Sequence, residues 1–245
     1  MGSQISHIVE FIIGKIIELI NNFLPMEFMN NPIMIRGLVQ ATWETIWMLL
    51  ISGSIALVLG LVVGVIVTVT NKDGLLENKV LYFIFDKFIN FFRAVPFVIL
   101  IPLMMGLSRL LVGTATGTLG MIVTLVFGII PFFARQVQSA LADVDSGLIE
   151  ASISMGDSPF QIITRVYLRE SIPGLIRSIS MTLVSALGLT AMAGQVGGGG
   201  LGAFAIRYGY QSQEVDATWT TVVIILLIVV IIESSANYFA KKLTH

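Results

Sequence analysis

The sequence predicts an all-α integral membrane protein with five spans and an added amphipathic helix at its N-terminus. Three observations carry this. The 245 residues are 56% hydrophobic and only 12% charged, against about 25% charged in a typical soluble domain. The few charges are gathered between long charge-free runs. Lysine and arginine fall unevenly on the two sides that those runs define. A soluble globule of this composition would expose large apolar patches and aggregate, and a disordered chain needs more charge and less apolar content. The net charge of −1 gives no electrostatic footprint for nucleic acid. The chain has no cysteine, which excludes disulfide scaffolds, thiolate metal sites and cysteine nucleophiles.

Residues 5–24 come first. Ile8, Phe11, Ile12, Ile16, Leu19, Ile20 and Phe23 recur at helical spacing, with His7, Glu10, Lys15, Glu18 and Asn22 on the other face. Three charges in the stretch favour a helix lying in the membrane interface. A sixth span is the alternative. The interrupted apolar core and the lack of a small-residue cleavage site argue against a secretory signal. Residues 1–30 are therefore set apart as an extension, and 31–245 as the transmembrane domain.

A crossing helix needs about 20 mostly apolar residues. No charge lies between Glu44 and Lys72, between Arg109 and Arg135, or between Arg177 and Arg207, and Glu233 alone interrupts the run from Asp216 to Lys241. Adding the shorter gap from Arg93 to Arg109, the expected spans are roughly 43–70, 84–108, 117–140, 173–195 and 218–239. The second carries Asp86, Lys87 and Arg93, then Pro96 and Pro102, so it is expected to start in the interface and kink at the prolines. Gly60 and Gly64 make a small-residue packing pair in the first span. With five spans and the N-terminus outside, ten of the fourteen cationic side chains share one side, leaving Lys15, Arg36, Arg109 and Arg207 on the other. The positive-inside rule makes the richer side cytoplasmic, and Trp43, Trp47 and Trp219 then sit at outer ends.

The longest polar-containing loop, 141–172, falls on the cytoplasmic side. Asp145 and Ser146 read as a helix start, with Glu150 expected in the first turn near the positive helix end. Leu148, Ala151 and Met155 recur at helical spacing, and Gly156 is placed to end the helix in a left-handed cap. Ser158 and Pro159 start a second helix, whose apolar face is Phe160, Ile163 and Tyr167. Pattern alone leaves two readings open: a loop folded back on its own helix ends, or a docking knob for a cytoplasmic partner.

Glu150-Ala151-Ser152-x3-Gly156, then Val166-x-Leu168 nine residues on, resembles the EAA loop of bacterial ABC importer permeases. That pattern reads Glu-Ala-Ala, three residues, Gly, nine residues, Ile-x-Leu-Pro. Ser152 and Val166 are mild departures. Arg169 stands at the usual proline and lets the second helix run on towards Pro173. Further matches in order are Trp43-Glu44-Thr45, Phe92-Arg93-Ala94-Val95-Pro96-Phe97, Pro131-Phe132-Phe133-Ala134-Arg135, Val196-Gly197-Gly198-Gly199-Gly200-Leu201-Gly202 and Tyr208-Gly209-Tyr210. Over about 36–243 these resemble the permeases of methionine ABC importers, the MetI type.

The resemblance implies a type I ABC importer permease fold in a bacterial cytoplasmic membrane. It implies a homodimer, two ATPase subunits that bind ATP and Mg, and an extracytoplasmic methionine-binding protein or lipoprotein. The permease itself then needs no cofactor, and no Walker A pattern occurs in the sequence. Glu150, Ala151, Ser152, Gly156, Asp157 and Leu168 are carried over as the ATPase-coupling set, and Met192 as a translocation gate. By pattern alone Met192 is ordinary packing. Arg93 and Pro96 are pathway residues or a helix-end anchor. Gly197, Gly198, Gly199, Gly200 and Gly202 form either a flexible external loop or a close backbone contact, the latter favoured. Glu233 reads as a snorkelling or a functional carboxylate. An ion-coupled secondary transporter would need midplane carboxylates and inverted repeats; neither is evident. A channel or structural protein leaves the loop motif unexplained. His7 and His245 are both terminal, which leaves no histidine-based enzyme site.

Overall fold

The computed structural model describes residue 15 and residues 31–243, and among these all regular structure is helical. The expected amphipathic helix at 5–24 and the boundary at residue 30 lie almost wholly outside the described residues. The first described helix, α1, is Pro32–Thr70. Asn31 caps it, its side chain accepting from the Ile33 backbone N–H at 3.0 Å, and Pro32 occupies the first turn. At 39 residues it is about 58 Å long, well beyond a hydrocarbon core of about 30 Å. It begins eleven residues before the expected 43, because charge gaps mark the apolar middle of a helix and not its capped ends. Trp43 and Trp47 accordingly lie three and four turns inside it.

The second expected span is two helices. α2, Lys79–Ala94, is capped by Asn78, which accepts from Val80 and Leu81 N–H groups at 3.1 Å. α3 is Phe97–Val112. They meet at 116°. The corner is at Val95, which the following Pro96 forces into extended backbone (φ −78°, ψ 120°). At sixteen residues each, either helix is about 24 Å long and too short to cross alone. The expected kink is thus a full corner. Pro102 is absorbed inside α3.

α4 is Gly117–Ala142. The loop follows as α5 (Ser146–Ser154), α6 (Pro159–Ile162), a π-helical turn (Ile163–Tyr167) and α7 (Leu168–Glu170). α8 is Ile172–Ala193. A break at Val196 and Gly197 leads to α9, Gly200–Phe204, a π-helical segment Ala205–Gln211, and α10, Val215–Leu243.

α4 is the centre of the bundle. Met121, Leu125, Ile129 and Ile130 form one core with Met48 and Ala56 of α1, Ile101 of α3, and Ala186 and Leu187 of α8. The closest approach is between α1 and α4. A Cβ on Gly60 would lie 2.9 Å from Phe133 Cδ1, and one on Gly64 2.6 Å from Val137 Cβ. Both numbers rise together along the two helices, so α1 and α4 run in the same direction. The corner-shaped α2–α3 pair therefore carries the chain back between them. α8 runs the other way: Gly174 lies against Ala140, and Gly128 against Leu189. Among the described residues, four helices are long and apolar enough to cross a membrane, and counting the bent pair as one span makes five.

In this bundle, most buried hydroxyls donate to a carbonyl of their own helix, as an apolar surround favours; the buried Ser108 hydroxyl is an exception, with no partner among the described residues. Thr42, Thr45 and Ser52 donate to the carbonyls of Leu38, Ala41 and Met48. α2 packs Ile89, Phe85 and Phe88 against Val67 and Ala134 and is also tied to α4 by a polar cluster. Arg135 pairs with Asp86 and donates to Asn90 Oδ1 at 2.9 Å and Gln138 Oε1 at 2.6 Å. The i, i+4 spacing of Asp86 and Asn90 was the available signal for it.

The α1–α4 contact yields a direct test. Gly64→Val should overpack the seam and cost about 1–3 kcal/mol, read as a lower melting temperature of the detergent-solubilised protein. Gly106→Ala, at a position where an added Cβ meets nothing within 4 Å, should leave that temperature unchanged.

Candidate functional site: a helical knob, a glycine clasp and a mid-bundle cavity

Three features stand at three heights of the bundle. At one end is the knob made by α5 and α6. Asp145 caps α5, its Oδ1 accepting from the Gly147 N–H at 2.7 Å. Gly156 ends it at φ +84°. The Gly156 N–H donates to the Ile153 carbonyl at 3.0 Å and the Asp157 N–H to the Ser152 carbonyl at 3.2 Å, which is the Schellman arrangement that left-handed glycine permits. Ser152 Oγ donates to Asp157 Oδ2 at 2.6 Å and bolts the same turn together. Ser158 and Gln161 form a reciprocal capping box at the start of α6.

This geometry sorts the predicted coupling residues. Glu150, Ala151 and Gly156 are exposed, and the Glu150 carboxylate has no hydrogen-bond partner among the described residues. Glu150 is the fifth helical residue, beyond the first turn, so complementarity to the helix dipole does not account for it as the sequence pattern suggested. Ser152 is buried and Asp157 half-buried; they hold the turn. Leu168 does not join the exposed surface. It packs with Tyr167 on Phe133, Val137 and Leu141 and ties the knob to the end of α4. Burial there pushes the Tyr167 phenol above its usual pKa. Around the exposed trio stand Leu148, Ile153, Met155 (76% exposed) and Phe160 (74%), an apolar surface projecting from a helical loop. With Arg169 in place of proline, helical backbone continues to Glu170, and Pro173 falls in the first turn of α8.

At the opposite end lies the glycine run. It is a clasp and not a loose loop. Gly199 and Gly200 have φ of +80° and +74°. The Gly200 N–H donates to Glu44 Oε2 at 2.8 Å and the Leu201 N–H to Thr45 Oγ1 at 2.8 Å. Gln40 Nε2 donates to the other Glu44 oxygen at 2.9 Å. A Cβ on Gly198 would meet the Ala193 carbonyl, and one on Gly202 the Ala191 backbone. Gly197, also left-handed, faces open space. Glu44 and Thr45 were not among the predicted site residues, although their motif was visible. The carboxylate answers N–H groups at the start of α9, and pattern reading cannot pair residues 156 positions apart.

Between the two ends is a cavity of about 480 Å³ lined by Arg93, Pro96, Phe97, Thr182, Ser185 and Met192, among others. It brings together the three pathway residues that the sequence singled out. Gly128 and Ile129 also line it, and they are the middle of α4. Arg93, exposed in the last turn of α2, thus borders the cavity beside the middle of α4. Met192 is 43% exposed and is not core packing within this chain. Met181, Ser185, Gly188 and Met192 make one exposed stripe along α8.

The knob gives the second test. Gly156→Ala should cost about 1–2 kcal/mol for the left-handed backbone and fray the end of α5. Limited proteolysis should then cleave between residues 150 and 158 faster than in the unaltered protein, with cleavage elsewhere unchanged.

Comparison with known proteins places this architecture. The family described as binding-protein-dependent transport system inner membrane component matches residues 60–245. A probable D-methionine transport system permease protein of Vibrio cholerae is 43% identical over 208 residues, 85% of this chain and 92% of the relative. The D-methionine transport system permease protein of Escherichia coli K12 is 42% identical over 157 residues, 64% of this chain and 72% of the relative. Among solved structures, the inward-facing MetNI methionine ABC transporter matches with a TM-score of 0.85 and 38% identity, covering 88% of this chain and 100% of the other. An amino acid ABC transporter matches with a TM-score of 0.72 at 14% identity, a likeness of fold alone. The chain belongs to the binding-protein-dependent transport system inner membrane component family, as a multi-pass permease with the type I ABC importer fold.

Proposed function

We propose that this permease forms, as a homodimer, the membrane pathway of an ATP-driven importer of D- or L-methionine, with the knob of residues 146–162 seated on cytoplasmic ATPase subunits. The observation that carries this reading is the knob: a capped, internally bolted helix end presenting Glu150, Ala151, Gly156 and an apolar surround. Small Ala151 and Gly156 let a partner approach closely, and the free carboxylate of Glu150 offers it a charge-assisted bond. The partner ATPases bind ATP and Mg, and their closure draws the two knobs of the dimer together. Because Tyr167 and Leu168 tie the knob to α4, that motion reaches the spans and shifts them between two states.

The N-terminus lies outside and the C-terminus in the cytoplasm. Lys72, Lys79, Arg165, Arg169, Arg177, Lys241 and Lys242 then gather at the knob end. The clasp faces outward, where a methionine-binding protein or lipoprotein delivers cargo. The exposed α8 stripe faces the second copy across the pathway. Met192 from each copy narrows it with a flexible apolar side chain that excludes water. The clasp glycines let α9 pack against α1 and α8 and so hold the outer mouth. The cargo assignment is supported by the methionine named for relatives and for the structural neighbour.

The test is reconstitution of the permease with its ATPase and binding protein in proteoliposomes. Methionine should stimulate ATP hydrolysis and accumulate, and unrelated amino acids should not compete. If it neither stimulates nor competes, the cargo assignment fails. Gly156→Trp should abolish co-purification of the ATPase; retained binding and uptake would reject the docking role of the knob.

A further inference from the structure

The mid-bundle cavity holds an arrangement that neither packing nor gating requires. Arg93 lies level with the middle of α4, where an uncompensated charge is costly and rarely idle. Its guanidinium has no hydrogen-bond or ion-pair partner among the described residues, whereas Arg135 is fully engaged with Asp86, Asn90 and Gln138. An arginine offers donors only, in a planar fork that fits a carboxylate. The exposed polar group on the α8 side of the cavity behaves in the opposite sense. Ser185 Oγ donates its hydrogen to the Met181 carbonyl at 2.9 Å. With that hydrogen committed, the hydroxyl has only lone pairs to offer; Thr182, buried behind it, donates to the Ser178 carbonyl at 2.7 Å. The rest of the lining is apolar, with Phe132, Leu189 and Met192 prominent. At about 480 Å³ the volume is within the range of small-molecule sites.

We propose that this cavity is a transient binding site for a zwitterionic α-amino acid with an apolar side chain. The carboxylate sits on Arg93, the ammonium donates to the Ser185 oxygen, and the side chain lies against Leu189 and Met192. The inference rests on the importer reading above and deepens it, since it makes the permease a second filter for cargo after the binding protein. Cargo must leave as well as enter, and the site is built for that: one unpaired cation and one accessible neutral acceptor, with no carboxylate lining to trap the ammonium.

The experiment uses the dimeric permease–ATPase complex in nanodiscs without the binding protein. The probes are labelled L-methionine, 3-(methylthio)propylamine, which lacks the carboxylate, and 4-(methylthio)butanoate, which lacks the ammonium. The unaltered complex should bind methionine in preference to both. Arg93→Gln should weaken methionine by about tenfold or more and erase its advantage over the amine, with Arg93→Lys recovering part of the loss. Ser185→Ala should instead erase the advantage over the carboxylate analogue. Because each variant is predicted to lose a different discrimination, failure of one to assemble leaves the other to decide. Methionine binding that is unchanged in Arg93→Gln, or indifferent to both missing groups, overturns the site. A complex that binds and imports another α-amino acid with the same two discriminations would reject only the methionine assignment. One that binds no α-amino acid rejects the cavity site itself.

Discussion

The architecture depends on the seam between α1 and α4. Water does not drive helices together inside a bilayer, so association rests on close van der Waals contact and on polar groups finding partners. Gly60 and Gly64 remove the side chains that would hold α1 off Phe133 and Val137. Phe133 and Val137 also form the cluster that receives Tyr167 and Leu168 from the loop. The same few residues thus lock the two central helices and provide the seat for the knob. A seam of parallel helices has a topological consequence too. The chain must return between them, and it does so through two short helices meeting at Val95 and Pro96.

That return path explains the cavity. A straight helix between α1 and α4 would fill the space beside Gly128 and Ile129. A 116° corner leaves it open and swings the end of α2, with Arg93, to the middle of the bundle. α2 is secured by the Asp86–Arg135 pair and the Asn90 amide together with an apolar face, on which Ile89, Tyr82, Phe85 and Phe88 pack against Val67 of α1 and Ala134 of α4. The glycine seam and the clasp at Glu44 and Thr45 hold the frame around it.

Much of this was legible in the sequence, for identifiable reasons. Charge-free runs found α4, α8 and α10 to within about four residues, because burying charge in lipid is costly whatever the tertiary structure. Gly156, Ser158 and Pro159 fixed the knob, because caps are local chemistry. Glu44 with Gly200, and Arg135 with Asp86, were not legible as pairs; they join residues far apart in the chain, and only the packing of α1, α2, α4 and α9 brings them together. Arg93 borders the cavity because the corner at Val95 and Pro96 ends α2 there, a break that charge counting along the sequence does not anticipate. Leu168 matched the loop motif yet packs inward, since a pattern records spacing and not which face of a helix is solvated.

The central claim is that energy enters this permease by contact at the knob, from the cytoplasmic side. The chain has no cysteine, so a single introduced thiol reports one position without background. Ala151→Cys, in the complex reconstituted with its ATPase, should form a cross-link to that subunit with a short bifunctional reagent. Leu110→Cys, exposed at the far end of α3, should form none and should be labelled from outside the cell. A residue-151 thiol that cross-links to nothing, or that is reached by an impermeant reagent from outside, would contradict the account.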